Sequence, residues 1–362
     1  MTSNTSNQSN SREGSDLDRY SFGLRLALLA ASSLTVMAGA TMSPSLPAMQ
    51  SHFHDVPDVA YWVKLLLTLP ALFIALFAPV AGWVADRFGR KRLLFLTVLL
   101  YGLSGTAGFF LDSLTAILIS RAILGMSVAG VITSATALIS DYFHGPARAR
   151  FLGFQAAFMG FGGVVFLLAG GALSEWSWRG PFLVYASALA LVPLVAFSVF
   201  EPDRKSGYSK ALPDDPQSLH LPVIGFILFF AFSGMVVFYL IPVQLPFFLE
   251  ERFGAAGFIT GASIALATLV ASICSLNFAH IRRRFSHLMI CVLIYGFMGI
   301  GYLIFGSAGS ILQAWAGLII CGLGFGMLMP NLNLWVAAVT PEAFRGRVVG
   351  ALGAAIFLGQ FF

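Results

Sequence analysis

Long apolar stretches alternate with short polar ones from residue 22 to the end of the chain, giving eleven runs: 22–43, 60–85, 93–111, 114–140, 151–173, 181–200, 221–249, 256–280, 288–306, 310–339 and 346–362. A helix crosses a hydrocarbon layer with about 20 apolar residues, so the pattern predicts an all-α polytopic membrane protein. Two polar stretches frame the runs. Residues 1–21 are rich in Ser, Asn and charge and lack the apolar core of a signal peptide, so they read as a disordered cytoplasmic tail. Residues 201–220, EPDRKSGYSKALPDDPQSLH, have no apolar period and read as a flexible cytoplasmic linker. The linker leaves six runs in 22–200 and five in 221–362, and the last run stops unfinished at Phe362. The expected fold is therefore two pseudo-symmetric six-helix bundles with the second incomplete, either because the sequence is a fragment or because its last helix has been lost.

The two parts share a weak repeat. Arg148-Ala-Arg150-Phe-Leu-Gly153 follows the fourth run and Arg345-Gly-Arg347-Val-Val-Gly350 the tenth, each preceded by a proline, Pro146 and Pro341. Two such halves joined by a polar loop are the internal symmetry of carriers that work by alternating access. Composition agrees: 58% of 362 residues are hydrophobic and only 10% charged, with a mean hydropathy of +0.85. An average soluble domain is about a quarter charged, and a disordered chain needs low hydrophobicity. The net charge of +5 could suggest nucleic acid, but its distribution argues otherwise. Arg87, Arg90, Lys91, Arg92, Arg148, Arg150, Arg204, Lys205, Lys210, Arg282, Arg283, Arg284, Arg345 and Arg347 all follow even-numbered runs, while the odd loops carry only Arg179 and Arg252. By the positive-inside rule the N-terminus and the even loops are cytoplasmic, and no nucleic-acid partner is expected. Cys274, Cys291 and Cys321 lie inside apolar runs and form neither a disulfide framework nor a zinc spacing.

The sharpest motif is Gly82-Trp83-Val84-Ala85-Asp86-Arg87-Phe88-Gly89-Arg90-Lys91-Arg92. Basic residues here serve as anchors at the cytoplasmic surface, but Asp86 does not fit that role. An acid at the C-terminal end of a helix opposes the helix dipole and needs a positive partner, either a basic side chain or another helix's N-terminus. Thr340-Pro341 is a candidate helix start on the same face, with a capping hydroxyl followed by proline. Gly82 would let that neighbour approach and Gly89 would permit a tight loop. Such a cluster can latch the two halves together on one side.

The segment GWVADRFGRK resembles the signature loop of the major facilitator superfamily, G-x-L-A-D-R-x-G-R-K. The resemblance implies a transporter of two six-helix bundles around a central cavity, with Asp86, Arg87 and Arg90 in a cytoplasmic gate cluster that Asp141, at the end of the fourth helix, joins. It also implies a monomer in a bacterial-type inner membrane, without cofactor or metal. Leu118-Ile-Ser-Arg121-Ala-Ile-Leu-Gly125 resembles a second signature, that of drug/proton antiporters, whose arginine is implicated in proton coupling. Arg121 lies about eight residues from the outer end of its span, ~12 Å deep, and a charge at that depth needs water or a partner. The reading is that it faces an aqueous cavity. Gly160-Phe-Gly162-Gly163 through Gly170-Gly171 has the glycine scatter of the antiporter fifth helix, with Phe166 and Leu167 in its Gly-Pro positions. Met42-Ser-Pro44-Ser-Leu-Pro47 resembles the P-x-x-P ending of twelve-helix exporters, and is equally a stop signal for a helix. Together these imply proton-coupled efflux of small amphipathic molecules. A proton-coupled or uniport importer, or a non-transporting membrane receptor, is the alternative.

Pro242 and Pro246 remove backbone donors from the seventh span, which demands local compensation. Gln155, Tyr239, Gln244 and Asn331 are uncharged polar residues in apolar surroundings, suited either to line a substrate cavity or to hold helices together. An enzyme is not expected. Gly322-Leu-Gly-Phe-Gly326 follows no strand, no Walker sequence occurs, and the histidines show no metal spacing. A proton carrier would ordinarily be an embedded carboxylate, yet Asp112, Glu175 and Glu250 sit near the outer ends of spans and Asp86 and Asp141 near the inner ends.

Overall fold

The computed structural model describes residues 20–202, 220–255 and 257–362. The tail 1–21 and linker 201–220 thus lie, except for their edges, outside the described residues. All eleven runs form helices: α1 (Phe22–Ala40), α3 (Val59–Phe88), α4 (Arg90–Ala107), α5 (Leu114–Tyr142), α6 (Gly145–Trp176), α7 (Ser187–Ser198), α8 (Leu221–Phe253), α9 (Gly257–Leu276), α11 (His287–Gly306), α12 (Ile311–Val339) and α13 (Glu342–Phe361). Two short helices, α2 (Leu46–His52) and α10 (Phe278–Arg284), lie at the surfaces, and 3₁₀ turns precede α2 (Ser43–Ser45) and α7 (Gly180–Ala186). Among the described residues, nine stretches are long and apolar enough to cross a membrane. The runs forming α4 and α13 fall outside that set: α4 opens on Arg90, Lys91 and Arg92, and the first two turns of α13 hold Glu342, Arg345 and Arg347.

Helix ends follow local chemistry. Ser21 accepts the Leu24 N–H at 3.2 Å and starts α1, as a side-chain cap should. Gly89 alone separates α3 from α4, at φ +104°, a conformation that disfavours any side chain. At the start of α13 the expected cap is not made: Pro341 takes the capping position, and the buried Thr340 hydroxyl has no hydrogen-bond partner. The chain reaches the helix in extended geometry, which points the hydroxyl elsewhere.

One apolar core gathers residues from Leu24 to Val199, and another gathers residues from Ile224 to Leu352. The two halves meet along two seams, α3 against α13 and α6 against α9. Alternate helix ends define two faces. One carries Arg90–Arg92, Arg148, Arg150, Arg282–Arg284, Arg345 and Arg347, and is called the basic face below. The other carries an ion pair between Asp112 and Arg179.

Candidate functional site

Between the halves, midway along the helices, lies a cavity of about 460 Å³. Its wall is mostly apolar, with Leu67, Ile74, Leu167, Phe238, Ile264 and Phe325 contributed by both halves and Met159, Met235 and Met329 spaced around it. Ser32, Thr35, Thr136, Gln155, Tyr239, Thr268 and Gln360 supply the polar atoms. No Asp, Glu, His, Lys or Arg is among the described lining residues. Gln155 donates to the Ser32 hydroxyl at 2.7 Å, so α6 is tied to α1 at the cavity wall. Phe238 and Phe325 stack at 3.5 Å between centroids, fixing α8 against α12. Apolar walls with a few placed dipoles are the usual make-up of a small-molecule site.

The cavity is closed towards the face opposite the basic one. A methyl placed on Gly171 of α6 would meet the Gly257 carbonyl oxygen and Gly261 Cα of α9, each at 3.1 Å. Ser43 donates a hydrogen bond to the Pro242 carbonyl across the halves. Lys64 of α3 sits 5.1 Å from the Phe247 ring centre of α8. Towards the basic face the α3/α13 seam has no comparable glycine packing. Methyls on Gly82, Gly346, Gly350 or Gly353 would meet nothing within 4 Å.

At that face, the first half holds a charge cluster. Arg90 pairs with Asp141, lies 3.8 Å from Asp86 and donates to the Ala137 carbonyl at 3.4 Å. Glu201 accepts the backbone N–H groups of Arg90 at 2.7 Å and Lys91 at 2.9 Å, satisfying two of the unpaired donors that begin α4. A carboxylate there also complements the helix dipole.

The Major Facilitator Superfamily model matches residues 28–362. The chain belongs to the major facilitator superfamily. It is a multi-pass membrane transporter, not an enzyme. Puromycin resistance protein pur8 of Streptomyces alboniger is 32% identical over 54% of this chain, which spans 38% of that protein's length. The class C tetracycline resistance protein of Escherichia coli is 27% identical over 91% of this chain and 85% of its own. The solved structure of a D-xylose-proton symporter superposes with a TM-score of 0.77 at 15% identity, covering 94% of this chain and 88% of that one. This last likeness shows the shared superfamily fold.

On this major facilitator frame the expected site residues fall into three groups. Gln155 and Tyr239 line the cavity, and the Tyr239 hydroxyl lies against Gly39 of α1. Asp86, Arg90 and Asp141 come together, while Gly89 makes the turn; a methyl there would also press to 3.0 Å from Glu201 Oε2. The remaining expectations are corrected. Arg87 points out of the cluster, over Trp83 at 5.6 Å and Phe88 at 6.0 Å. A methyl on Gly82 would meet nothing within 4 Å, so no neighbouring helix packs closely against it.

Gln244 lines a separate, smaller cavity of about 200 Å³ with Tyr302, Phe305 and Cys321. Asn331 is fully buried, bonded to His287 Nδ1 at 2.8 Å and 3.5 Å from Cys291 Sγ, so it joins α12 to α11. Arg121 does not face the cavity either. It is 1% exposed, with Nη2 donating to the Gly105 carbonyl at 2.7 Å and the Ser104 carbonyl at 3.3 Å. Its guanidinium lies 4.9 Å from the Phe182 ring centre and 4.8 Å from that of Tyr185.

These contacts have a simple origin. A helix leaves its last four carbonyls unpaired, here those of residues 104–107 at the end of α4. Phe109 and Phe110 N–H groups take Thr106 and Ala107, and Arg121 takes the other two. The positive charge also sits at the negative end of the dipole. Gly125, one turn on, is needed because α5 crosses the α3 backbone there; a methyl would come 2.9 Å from Pro70 Cα.

Sequence reading missed Glu201, which stood in the stretch assigned to the linker, and Ser43, whose partner is 199 residues away. An acid just before Pro202, after the sixth run, was the only local signal for the first.

Proposed function

We propose that the protein exports small, uncharged, amphipathic molecules by alternating access, with the basic face cytoplasmic. The observation that carries the reading is the cavity itself, apolar, without an ionised residue among its described lining, and closed at the face opposite the basic one. An ion entering such a cavity loses hydration and finds no opposite charge in the wall, so neutral solutes are favoured. By the positive-inside rule the arginine-rich face is cytoplasmic, so a cavity closed at the opposite face fits the cytoplasm-open state of such a cycle. The resemblance of the relatives named for puromycin and tetracycline resistance supports export of drug-like solutes. Proton coupling in an efflux cycle is part of the same proposal, with the proton site outside the lining, because no carboxylate or imidazole is in it.

The test is flux in proteoliposomes of the full chain, with an uncharged amphipathic dye and its permanently charged analogue as solutes and an imposed pH gradient. Solute moving out of the compartment that the basic face contacts, faster with protons supplied from the other side, is the expected result. Flux of a permanently charged analogue equal to that of its neutral counterpart would refute the assignment of solute class. Equal flux with and without the gradient would refute the coupling.

A further inference from the structure

The closed face is held by residues 41–45, the short piece of chain that continues α1 as a 3₁₀ turn. We propose that the hydrogen bond from Ser43 to the Pro242 carbonyl is the bolt of this gate, the contact that must break before the face can open. The inference rests on the alternation between faces argued above. In a helix the carbonyl of residue 242 would be taken by the N–H of residue 246. Position 246 is proline, which has no N–H. A carbonyl left unpaired away from water is unfavourable, so Pro246 creates a demand for a donor. Ser43 meets it from the other half.

Ser43 is 0% exposed, and the segment around it is anchored to its own half. Arg121 Nη1 donates to Met42 Sδ at 3.3 Å, and a methyl on Gly170 of α6 would come 3.0 Å from Thr41 Cγ2. Other described cross-half contacts on this face are packing contacts: the glycine packing of α6 on α9, the 43–45 turn on α9, α2 on α8, and the Lys64–Phe247 stack, none of which is a hydrogen bond to a single partner atom. The hydroxyl is thus the directional link. When the face opens, water reaches both groups and replaces the bond with little net change. Removing the hydroxyl leaves the carbonyl unpaired only while the face is closed, so the loss falls on the closed state alone.

This reasoning makes Pro246 the reason Ser43 matters. An alanine at 246 supplies the missing N–H within α8 and should make the Ser43 hydroxyl dispensable. The experiment uses the full chain in oriented vesicles, with Cys274, Cys291 and Cys321 replaced by alanine and Ala40→Cys as reporter on the cavity wall. A membrane-impermeant thiol reagent is applied from each side in turn. Ser43→Ala should raise labelling from the face opposite the basic one about three- to ten-fold. In a Pro246→Ala background the same substitution should change labelling little. Equal labelling of wild type and Ser43→Ala, in protein that still carries solute, overturns the bolt. So does an undiminished Ser43→Ala effect in the Pro246→Ala background. Loss of solute flux in every version, with the labelling pattern as expected, overturns the transport reading and leaves the bolt standing.

Discussion

Replacing Arg121 with methionine separates its charge from its bulk. The unbranched side chain keeps much of the volume between Phe182 and Tyr185 but can donate no hydrogen bond. The Ser104 and Gly105 carbonyls then lose their donors in a region that admits no water. Each buried group left unpaired costs about 1–3 kcal/mol, or roughly 2–6 kcal/mol for the two. Against this, the variant no longer buries a cation, whose desolvation opposes folding by several kcal/mol. The two ring contacts, worth about 2 kcal/mol each when desolvated, are lost as well and tip the balance to a net loss of about 2 kcal/mol, a large share of the roughly 5–15 kcal/mol that holds a folded domain together. Arg121→Lys keeps the charge but not the planar fork that reaches two carbonyls and stacks on two rings, so it should fall between the two. Arg121→Ala adds a cavity and should be the least stable. Unfolding of the purified protein in mixed micelles measures the order wild type, Lys, Met, Ala. A methionine variant with wild-type stability and a displaced pH profile of flux would refute the capping argument and return Arg121 to proton coupling.

Other substitutions test other parts of the site. Gly89→Ala forces a side chain to φ +104° and towards Glu201, and should destabilise the protein by about 1–2 kcal/mol in the same unfolding assay. Asp86→Asn should leave stability within about 0.5 kcal/mol, since the side chain is 73% exposed in this state. It should also slow flux and raise thiol labelling of Gly82→Cys from the basic face, if Asp86 latches the halves when that face closes; unchanged labelling with normal flux rejects the latch. Gln155→Leu removes the bond to Ser32 and one of the polar groups of the wall, and should raise the KM for a polar solute more than for an apolar one, measured as initial rates of uptake.

The helices were legible because each apolar run had to be long enough to cross a membrane, and the gate motif because Asp86 broke the expected charge pattern at its end of the run. Arg121 was misplaced for a definite reason. Its depth could be counted from the end of the run, but its direction could not, since α5 is apolar on every side and gives no face to orient by. The four unpaired carbonyls at the end of α4 were implicit in the sequence, yet nothing local said which side chain would reach them. Gly82 was read from a neighbour that this conformation holds away from it. Asn331 and Gln155 look alike in sequence; burial against His287 separates one from a place on the cavity wall that the other occupies. Pro246 did announce an unpaired carbonyl, and only the fold could supply Ser43.

The two faces are held by different kinds of force. On the closed face, backbone meets backbone through Gly171, Gly257 and Gly261, and one neutral hydrogen bond adds direction. On the basic face the Arg90–Asp141 pair lies within one half, with Arg90 25% and Asp141 28% exposed. In a partly buried pair the attraction is largely offset by the desolvation of both ions, so the cluster can exchange partners across the seam without a large change in energy. A carrier needs that property, because two states populated in turn must lie within a few kcal/mol of each other. Strong buried ion pairs on both faces would trap one state. Close packing of small residues, by contrast, is lost over a short separation, so the closed face is firm when shut and offers little resistance once parted. The Ser43 hydroxyl then sets the threshold between the two conditions: it acts over hydrogen-bond distance, and water takes its place when the gap opens.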